Sequence, residues 1–189
     1  MSMSAPEGLA GIVLAAGLSR RYAGDKLLAP FSGMPLAAHV ADLLATLGLQ
    51  HRLAVCPVGH EDRAGLFEDR GFEIIWNDAP ELGMGRSLAL GAVQAQALGA
   101  SAILVCLADM PNVTAAHLRR LIELGQGGEL VATEVNGVRM PPAVFPAAML
   151  PGLAALTGDR GARALLTEAR TVAAGALLAR DLDTRDDFR

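Results

Sequence analysis

Gly17-Leu-Ser19-Arg20-Arg21-Tyr-Ala-Gly24-Asp-Lys26 follows a short apolar run, Ile12 to Ala16, near the start of the chain. Small residues let backbone N–H groups approach an anion closely, and the cations neutralise its charge. That chemistry suits a nucleoside triphosphate. The spacing departs from G-x-x-x-x-G-K-[ST], which excludes a Walker loop. A second chemistry-bearing position is Asp109, in Leu107-Ala108-Asp109-Met110-Pro111, directly after the most strongly apolar run of the chain. A strand-end carboxylate fixed by a nearby proline is well placed to hold Mg²⁺ against phosphate oxygens. Each has a plainer reading, a solvated basic loop for the first and a loop-capping acid for the second. For Asp109 the plainer reading is the weaker, because Thr114 is the better N-cap for the helix that follows.

A third segment, Asn77–Gly91, reads N-D-A-P-E-L-G-M-G-R-S-L-A-L-G. Gly83 and Gly85 permit a tight turn, and a helix starting near Ser87 offers unpaired N–H groups. Leu88 stands where a dinucleotide fingerprint requires its third glycine, which argues against a Rossmann cofactor site. Taken alone, the segment reads better as a glycine-rich loop capping a surface helix. His39, His51, His60 and His117 show no ligand spacing and read as surface or half-buried residues. Ser19 and Ser87 lie in phosphate-type loops, so no Ser/His/Asp constellation is visible.

The elements that must position these residues alternate. The first strand is expected at Ile12–Ala16. Leu36, Val40, Leu43, Leu44 and Leu47 recur at helical spacing up to Gly48. Strands follow at 52–56, 72–76 and 102–107, separated by helices at about 61–70 and 87–98. This alternation predicts parallel pairing with right-handed crossovers, hence a three-layer αβα sandwich with a Rossmann-like sheet. Asn136-Gly137 between 130–133 and 139–145 signals an added antiparallel hairpin. A helix near 160–169 and a short strand at 178–182 close the expected fold. In such sheets ligands gather beyond the carboxyl ends of the strands, where Gly17–Lys26 and Asp109 both fall.

The length of 189 residues predicts a single domain, residues 1–189, with a core of about 10–188. A net charge of −4 argues against non-specific nucleic-acid binding, so the cations at 20–26 form a local site. Cys56 and Cys106, both in apolar runs, suggest buried thiols in a reducing cytoplasm rather than a metal cluster. Residues 1–9 read as a loose leader without signal-peptide character. No apolar stretch reaches membrane length, so a soluble cytoplasmic protein is expected.

Residues 11–26 resemble the L-A-A-G-x-S-x-R…K signature of the MobA-like nucleotidyltransferases. Asn77–Gly91 is similar to the N…G-M-x-x-S-L-x-x-G stretch of the molybdenum cofactor cytidylyltransferases within that superfamily. Met140-Pro-Pro142-Ala-Val-Phe145 resembles the family's P-x-x-F strand, and Gly158-Asp159-Arg-Gly161-Ala-Arg163 its G-D-x-G-A-R element. Asp181-Leu-Asp183-Thr184 is similar to its D-I-D-T close, with Arg185 in place of the usual proline and Met110 where many members carry Gln.

The resemblance implies the fold of nucleotide-diphospho-sugar transferases and a Mg²⁺-dependent transfer of a nucleoside monophosphate, CMP from CTP, to the phosphate of a molybdopterin-type cofactor. It implies nucleotide contacts at Leu14, Ala15, Ala16, Gly17, Ser19, Arg20, Lys26, Asn77, Gly83, Ser87 and Ala108. Arg20, Lys26 and Asp109 would act in catalysis, with Asp109 and Asp183 (or its neighbour Asp181) on the metal. Pro142, Asp159, Gly161 and Arg163 would face the acceptor. Other nucleotide–acceptor pairs stay open, GTP with the same cofactor or an NTP with a sugar phosphate. So does a cofactor-binding maturation partner of a client molybdoenzyme that performs no turnover.

Overall fold

The computed structural model describes residues 8–18, 22, 24–158 and 164–178. Ser19, Arg20, Asp159, Gly161, Arg163 and Asp183 lie outside the described residues.

Strand β1 (Leu9–Leu14) is buried along its whole length. It begins earlier than the apolar run suggests, so Ala15 and Ala16 lie past its end rather than within it. A two-residue hairpin, β2 (Pro30–Phe31) and β3 (Met34–Pro35), leads into helix α1 (Leu36–Ala45). Then come β4 (His51–Pro57), α2 (Glu61–Glu68), β5 (Glu73–Asn77), α3 (Met84–Ala97) and β6 (Ala102–Leu107). Helix α4 (Ala115–Gly125) precedes the hairpin β7 (Val131–Val135) and β8 (Val138–Pro146). Asn136 and Gly137 turn it with φ of 51° and 78°, the left-handed pair that matches strand twist. Helix α5 (Leu150–Ala154) and strand β9 (Arg170–Ala173) complete the described elements.

Among the described residues the main sheet has seven strands in the order β5-β4-β1-β6-β8-β7-β9. Neighbours from β5 to β6 are parallel, β8 is antiparallel to both β6 and β7, and β9 runs parallel to β7. Alternation along β1 divides the core. Leu9 and Val13 join α1, α2 and α4 on one face, while Ala10, Ile12 and Leu14 join α3 and α5 on the other. The result is the three-layer αβα sandwich with a mostly parallel sheet.

From β1 the chain steps outward to β4 and β5 through α1 and α2, both on one face. It then returns past β1 to β6 through α3 on the opposite face. A right-handed crossover allows no other choice once the direction of sheet growth reverses. The reversal opens a crevice between the carboxyl ends of β1 and β6.

The chain's end differs from expectation. Residues 164–165 are helical and Leu166–Glu168 form a 3-10 turn, both within the helix expected near 160–169, of which 160–163 lie outside the described residues. Strand β9 at Arg170–Ala173 joins the sheet where no strand was expected, and of the strand expected at 178–182 only Leu178 is among the described residues. Leu178 sits in a turn, its N–H on the Gly175 carbonyl, and 179–182 lie outside the described residues. As an edge strand, β9 buries none of its residues fully, so no apolar run marks it.

Thr114 caps α4 as expected, its Oγ1 accepting the His117 N–H at 3.2 Å. Thr114→Ala should lower unfolding free energy by about 1 kcal/mol in urea denaturation, and Thr114→Ser should restore most of it.

Candidate functional site

The loops leaving β1 and β6 meet at the crevice. A cleft of about 290 Å³ opens there, with Leu14, Ala16 and Gly17 on one wall and Pro80, Gly83, Met84 and Ser87 on the other. Lys26, Leu27, Leu107, Ala108 and Asp109 complete its lining. Lys26 Nζ donates to Asp109 Oδ2 at 2.8 Å, joining positions 83 residues apart in the chain. Lys26 is only 8% exposed, so its charge is held by partners rather than by bulk water.

Backbone order on both sides fixes that pair. Asp25 Oδ1 accepts the Leu27 N–H at 3.0 Å, and the Leu28 N–H reaches the Asp25 carbonyl, closing a turn around Lys26. The Ala37 N–H at the start of α1 donates to the Leu27 carbonyl and seats this turn on the helix. Across the crevice the Ala108 N–H donates to the Leu14 carbonyl, which binds the end of β6 to β1 immediately before Asp109.

Asn77 builds the far wall from behind. It is fully buried, its Oδ1 accepting the Ala79 N–H and its Nδ2 donating to Ser87 Oγ, both at 3.0 Å. The Ala79 bond fixes which way the amide points. Ser87 Oγ therefore receives a hydrogen bond from behind, and its own hydroxyl hydrogen meets no acceptor among the described residues. The first turn of α3 borders the same wall, and its leading N–H groups and dipole give that wall a positive character.

A smaller apolar cavity of about 130 Å³ adjoins the cleft through Leu14, Met84 and Leu107, which line both. Arg139, Met140 and Pro141 form its rim with Phe145 and Leu166. The Arg139 guanidinium donates to the Thr167 carbonyl. Pro142 is buried beside them, its carbonyl accepting Thr133 Oγ1 at 2.7 Å. Since Thr133 spends its hydrogen there, His117 Nε2, 2.8 Å from Oγ1, must be the donor in that contact. Burial pushes the His117 pKa down, which favours the neutral ring.

The structure thus brings together Leu14, Ala16, Gly17, Lys26, Gly83, Ser87, Ala108 and Asp109. Ala15, Asn77 and Pro142 stand behind the walls instead. The Ala15 N–H is spent on the Val55 carbonyl and its own carbonyl on Arg63. Cys56 and Cys106 are fully buried, and burial raises both thiols, Cys56 to about 12, which keeps them protonated core residues.

Sequence reasoning missed Arg63, which is 1% exposed and gripped by Asp25. Its signal was its spacing from Leu66 and Phe67, which places it on the inward face of α2. Among the described residues no group of three or more His, Cys, Asp or Glu forms a metal cage. Asp109 alone still fits a hard cation such as Mg²⁺, which commonly takes one or two carboxylates and completes its shell with phosphate oxygens and water. Among the described residues no helix is long and apolar enough to cross a membrane.

The model of the MobA-like NTP transferase domain matches residues 11–173. The chain is 32% identical over 188 residues to the purine catabolism protein PucB of Bacillus subtilis, covering 95% of this chain and 91% of that protein. It is 34% identical over 116 residues to the molybdenum cofactor guanylyltransferase of Xanthomonas euvesicatoria, covering 61% of this chain and about half, 54%, of that protein. Among solved structures, Rv0371c of Mycobacterium tuberculosis superposes with a TM-score of 0.82 at 26% identity, covering 100% of this chain and 97% of that one. The same protein has also been solved in complex with manganese, with a TM-score of 0.77, 25% identity and coverage of 96% of both chains.

The α3 wall leans on the turn at Gly158. A Cβ added at Gly85 would lie 2.0 Å from the Gly158 carbonyl oxygen, whereas one at Gly65 in α2 would meet nothing within 4 Å. Identical substitutions should therefore have opposite signs in urea denaturation. Gly85→Ala should destabilise by about 1–3 kcal/mol through overpacking, and Gly65→Ala should stabilise by about 0.5–1 kcal/mol.

Proposed function

We propose, for a chain that belongs to the MobA-like NTP transferase family, that it transfers CMP from CTP to the phosphate of a molybdopterin-type cofactor and releases pyrophosphate. The observation that carries this reading is the meeting of Lys26 and Asp109 at 2.8 Å on the cleft lining. An ammonium and a carboxylate placed together where a triphosphate would lie can exchange partners on binding. The ammonium would turn to phosphate, and the carboxylate would be left to hold a divalent cation.

In this reading the base lies between the Ala16–Gly17 wall and the Gly83–Ser87 wall. Ser87, held from behind by Asn77, presents its hydroxyl hydrogen to an acceptor on the base edge, and cytosine offers O2 and N3. Lys26 holds the α-phosphate, Arg20 holds the β and γ groups, and Asp109, with Asp183, carries a divalent metal. When bound, Mg²⁺ would neutralise charge on the phosphate oxygens; the manganese complex of the mycobacterial neighbour supports a divalent ion. An acceptor phosphate oxygen forms the new bond to the α-phosphorus while the bond to the bridging oxygen breaks, and pyrophosphate leaves. The attacking group is already an anion, so no general base is needed. Alignment and charge neutralisation do the work.

The acceptor would enter over Arg139, Met140 and Pro141, with Asp159, Gly161 and Arg163 at its phosphate. PucB's printed name places that relative in purine catabolism, and a client molybdoenzyme acting on purines would fit both names. The relatives named guanylyltransferase favour GTP as the alternative nucleotide.

Pyrophosphate release from each of four NTPs with Mg²⁺ and purified cofactor tests the reading. CTP should raise the melting temperature most and support turnover, since a ligand stabilises the state it binds. A GTP preference moves the protein to the guanylyl branch, and binding without pyrophosphate release makes it a carrier. Asp109→Asn should keep the fold and lose about 10²–10³ in kcat, the size expected when one aimed electrostatic partner of the transition state is removed. Lys26→Ala should depress kcat more than it weakens nucleotide binding. Near-normal turnover in folded Asp109→Asn would refute the assignment.

A further inference from the structure

We infer that Arg63 is the positioning residue of the nucleotide loop, a buried clamp that fixes both ends of residues 18–24 and so aims the backbone at 16–17 and the side chain of Lys26. The inference rests on the nucleotide-binding reading of the cleft, but its geometry is independent of which nucleotide binds.

Arg63 enters from α2 and takes no part in the cleft lining. Its Nη1 donates to the Ala15 carbonyl at 2.5 Å and to the Gly17 carbonyl at 3.0 Å, the two carbonyls where the chain leaves β1. Its Nε donates to Asp25 Oδ2 at 2.8 Å, and Nη2 lies 2.7 Å from Asp25 Oδ1, a bidentate fork on the residue just before Lys26. One planar cation thus ties the start of the loop to its end. Among the described residues, the Leu27 N–H and His60, whose Nδ1 is 3.6 Å from Oδ2, also face this carboxylate.

The arrangement has directional content that a packing residue would lack. Holding the carbonyls of Ala15 and Gly17 on the α2 side fixes the 15–16 and 17–18 peptide planes, which flank the Ala16–Gly17 segment that lines the cleft. Holding Asp25 fixes the turn from which Lys26 reaches Asp109. A lysine at position 63 would supply the charge but not the fork, because a point ammonium cannot hold a carboxylate side-on and two carbonyls at once. A buried ion pair is also weak evidence for stability in its own right, since desolvation offsets much of its attraction. A gain in loop geometry accounts for its presence better than a gain in stability.

Two measurements on the full chain test this. Amide hydrogen exchange without ligand should rise for residues 15–27 in Arg63→Met and stay unchanged in β4 and β6. Steady-state pyrophosphate release should show a nucleotide KM raised at least tenfold together with a lowered kcat. Arg63→Lys should behave like Arg63→Met, while millimolar guanidinium should restore activity to Arg63→Ala and to neither of the others. Should Arg63→Met fail to fold, Asp25→Asn, which keeps the size of the side chain, should give the same pattern at smaller amplitude. Unchanged KM and kcat in a folded variant, or exchange that rises evenly across the sheet, overturns the inference. If the wild-type chain releases no pyrophosphate from any NTP, the transferase reading fails, and the exchange comparison still decides whether the clamp exists.

Discussion

Everything chemical in this molecule depends on the parallel pairing of β1 with β6, in register from Leu9↔Ala102 to Leu14↔Leu107. That ladder carries two loops from distant parts of the chain to one edge, and the Ala108 N–H on the Leu14 carbonyl extends the bonding just past the strands. Sheet growth reverses at β1 because α1 and α2 cover one face while α3 covers the other. The crevice is thus a consequence of crossover handedness before any side chain acts. Leu53, Val55, Ile103 and Val105, on the strands flanking β1, are almost fully buried, so the strand ends have little freedom to drift.

Two ion pairs sit within two residues of each other and have opposite characters. Asp25 meets Arg63 in a closed setting where the fork and the two carbonyls occupy the guanidinium. Asp109 meets Lys26 at the lining of an open cleft, through one carboxylate oxygen. In the first pair the guanidinium has its Nε, Nη1 and Nη2 all engaged by protein oxygens. The second can trade each member for a charge brought by a ligand, at the cost of one hydrogen bond that is then replaced. Adjacent residues, Asp25 and Lys26, therefore divide fixed support from exchangeable contact.

Much of this was legible in the sequence, for stated reasons. β6 could be read to its ends because five of its six residues are strongly apolar and a glycine and a polar residue stand nearby. The hairpin at Asn136-Gly137 and the cap at Thr114 follow from local chemistry that operates within a few residues. Gly17, Lys26 and Asp109 were legible at one edge because strand ends collect ligands, whereas Leu14, Gly83 and Ser87 were joined to them only by the family resemblance. Arg63 was hidden by its neighbours, since Glu61-Asp62-Arg63 reads as a charged helix start and only its tertiary partners make it a buried group. Asn77 was read as a contact and is a brace, a distinction that depends on which way a side chain points. β9 escaped because an edge strand needs hydrogen bonds on one side only and no continuous apolar run.

The antiparallel strand explains why a second pocket can share this edge. Parallel strands bring their last residues to the crevice, whereas β8, running the other way, brings its first. Its pairing with β6 puts Ala143 beside Val105 and Pro146 beside Ala102, so Arg139, Met140 and Pro141 lie toward the carboxyl end of β6. There they rim the apolar cavity with Leu107 and Met84, residues that also line the cleft. A sheet that continued in parallel would have needed a further crossover helix to put side chains at this place. The hairpin does it with a two-residue turn, and the Thr133 bond to the Pro142 carbonyl pins the strand beside the irregularity between Ala132 and Thr133. One edge of the sheet thereby presents two adjoining recesses, one at the parallel strands that carries Lys26, Ser87 and Asp109 and one at the antiparallel strand with a more apolar lining. Under the proposed transfer, two unlike substrates would lie in these recesses and their reacting phosphates would meet where the recesses join.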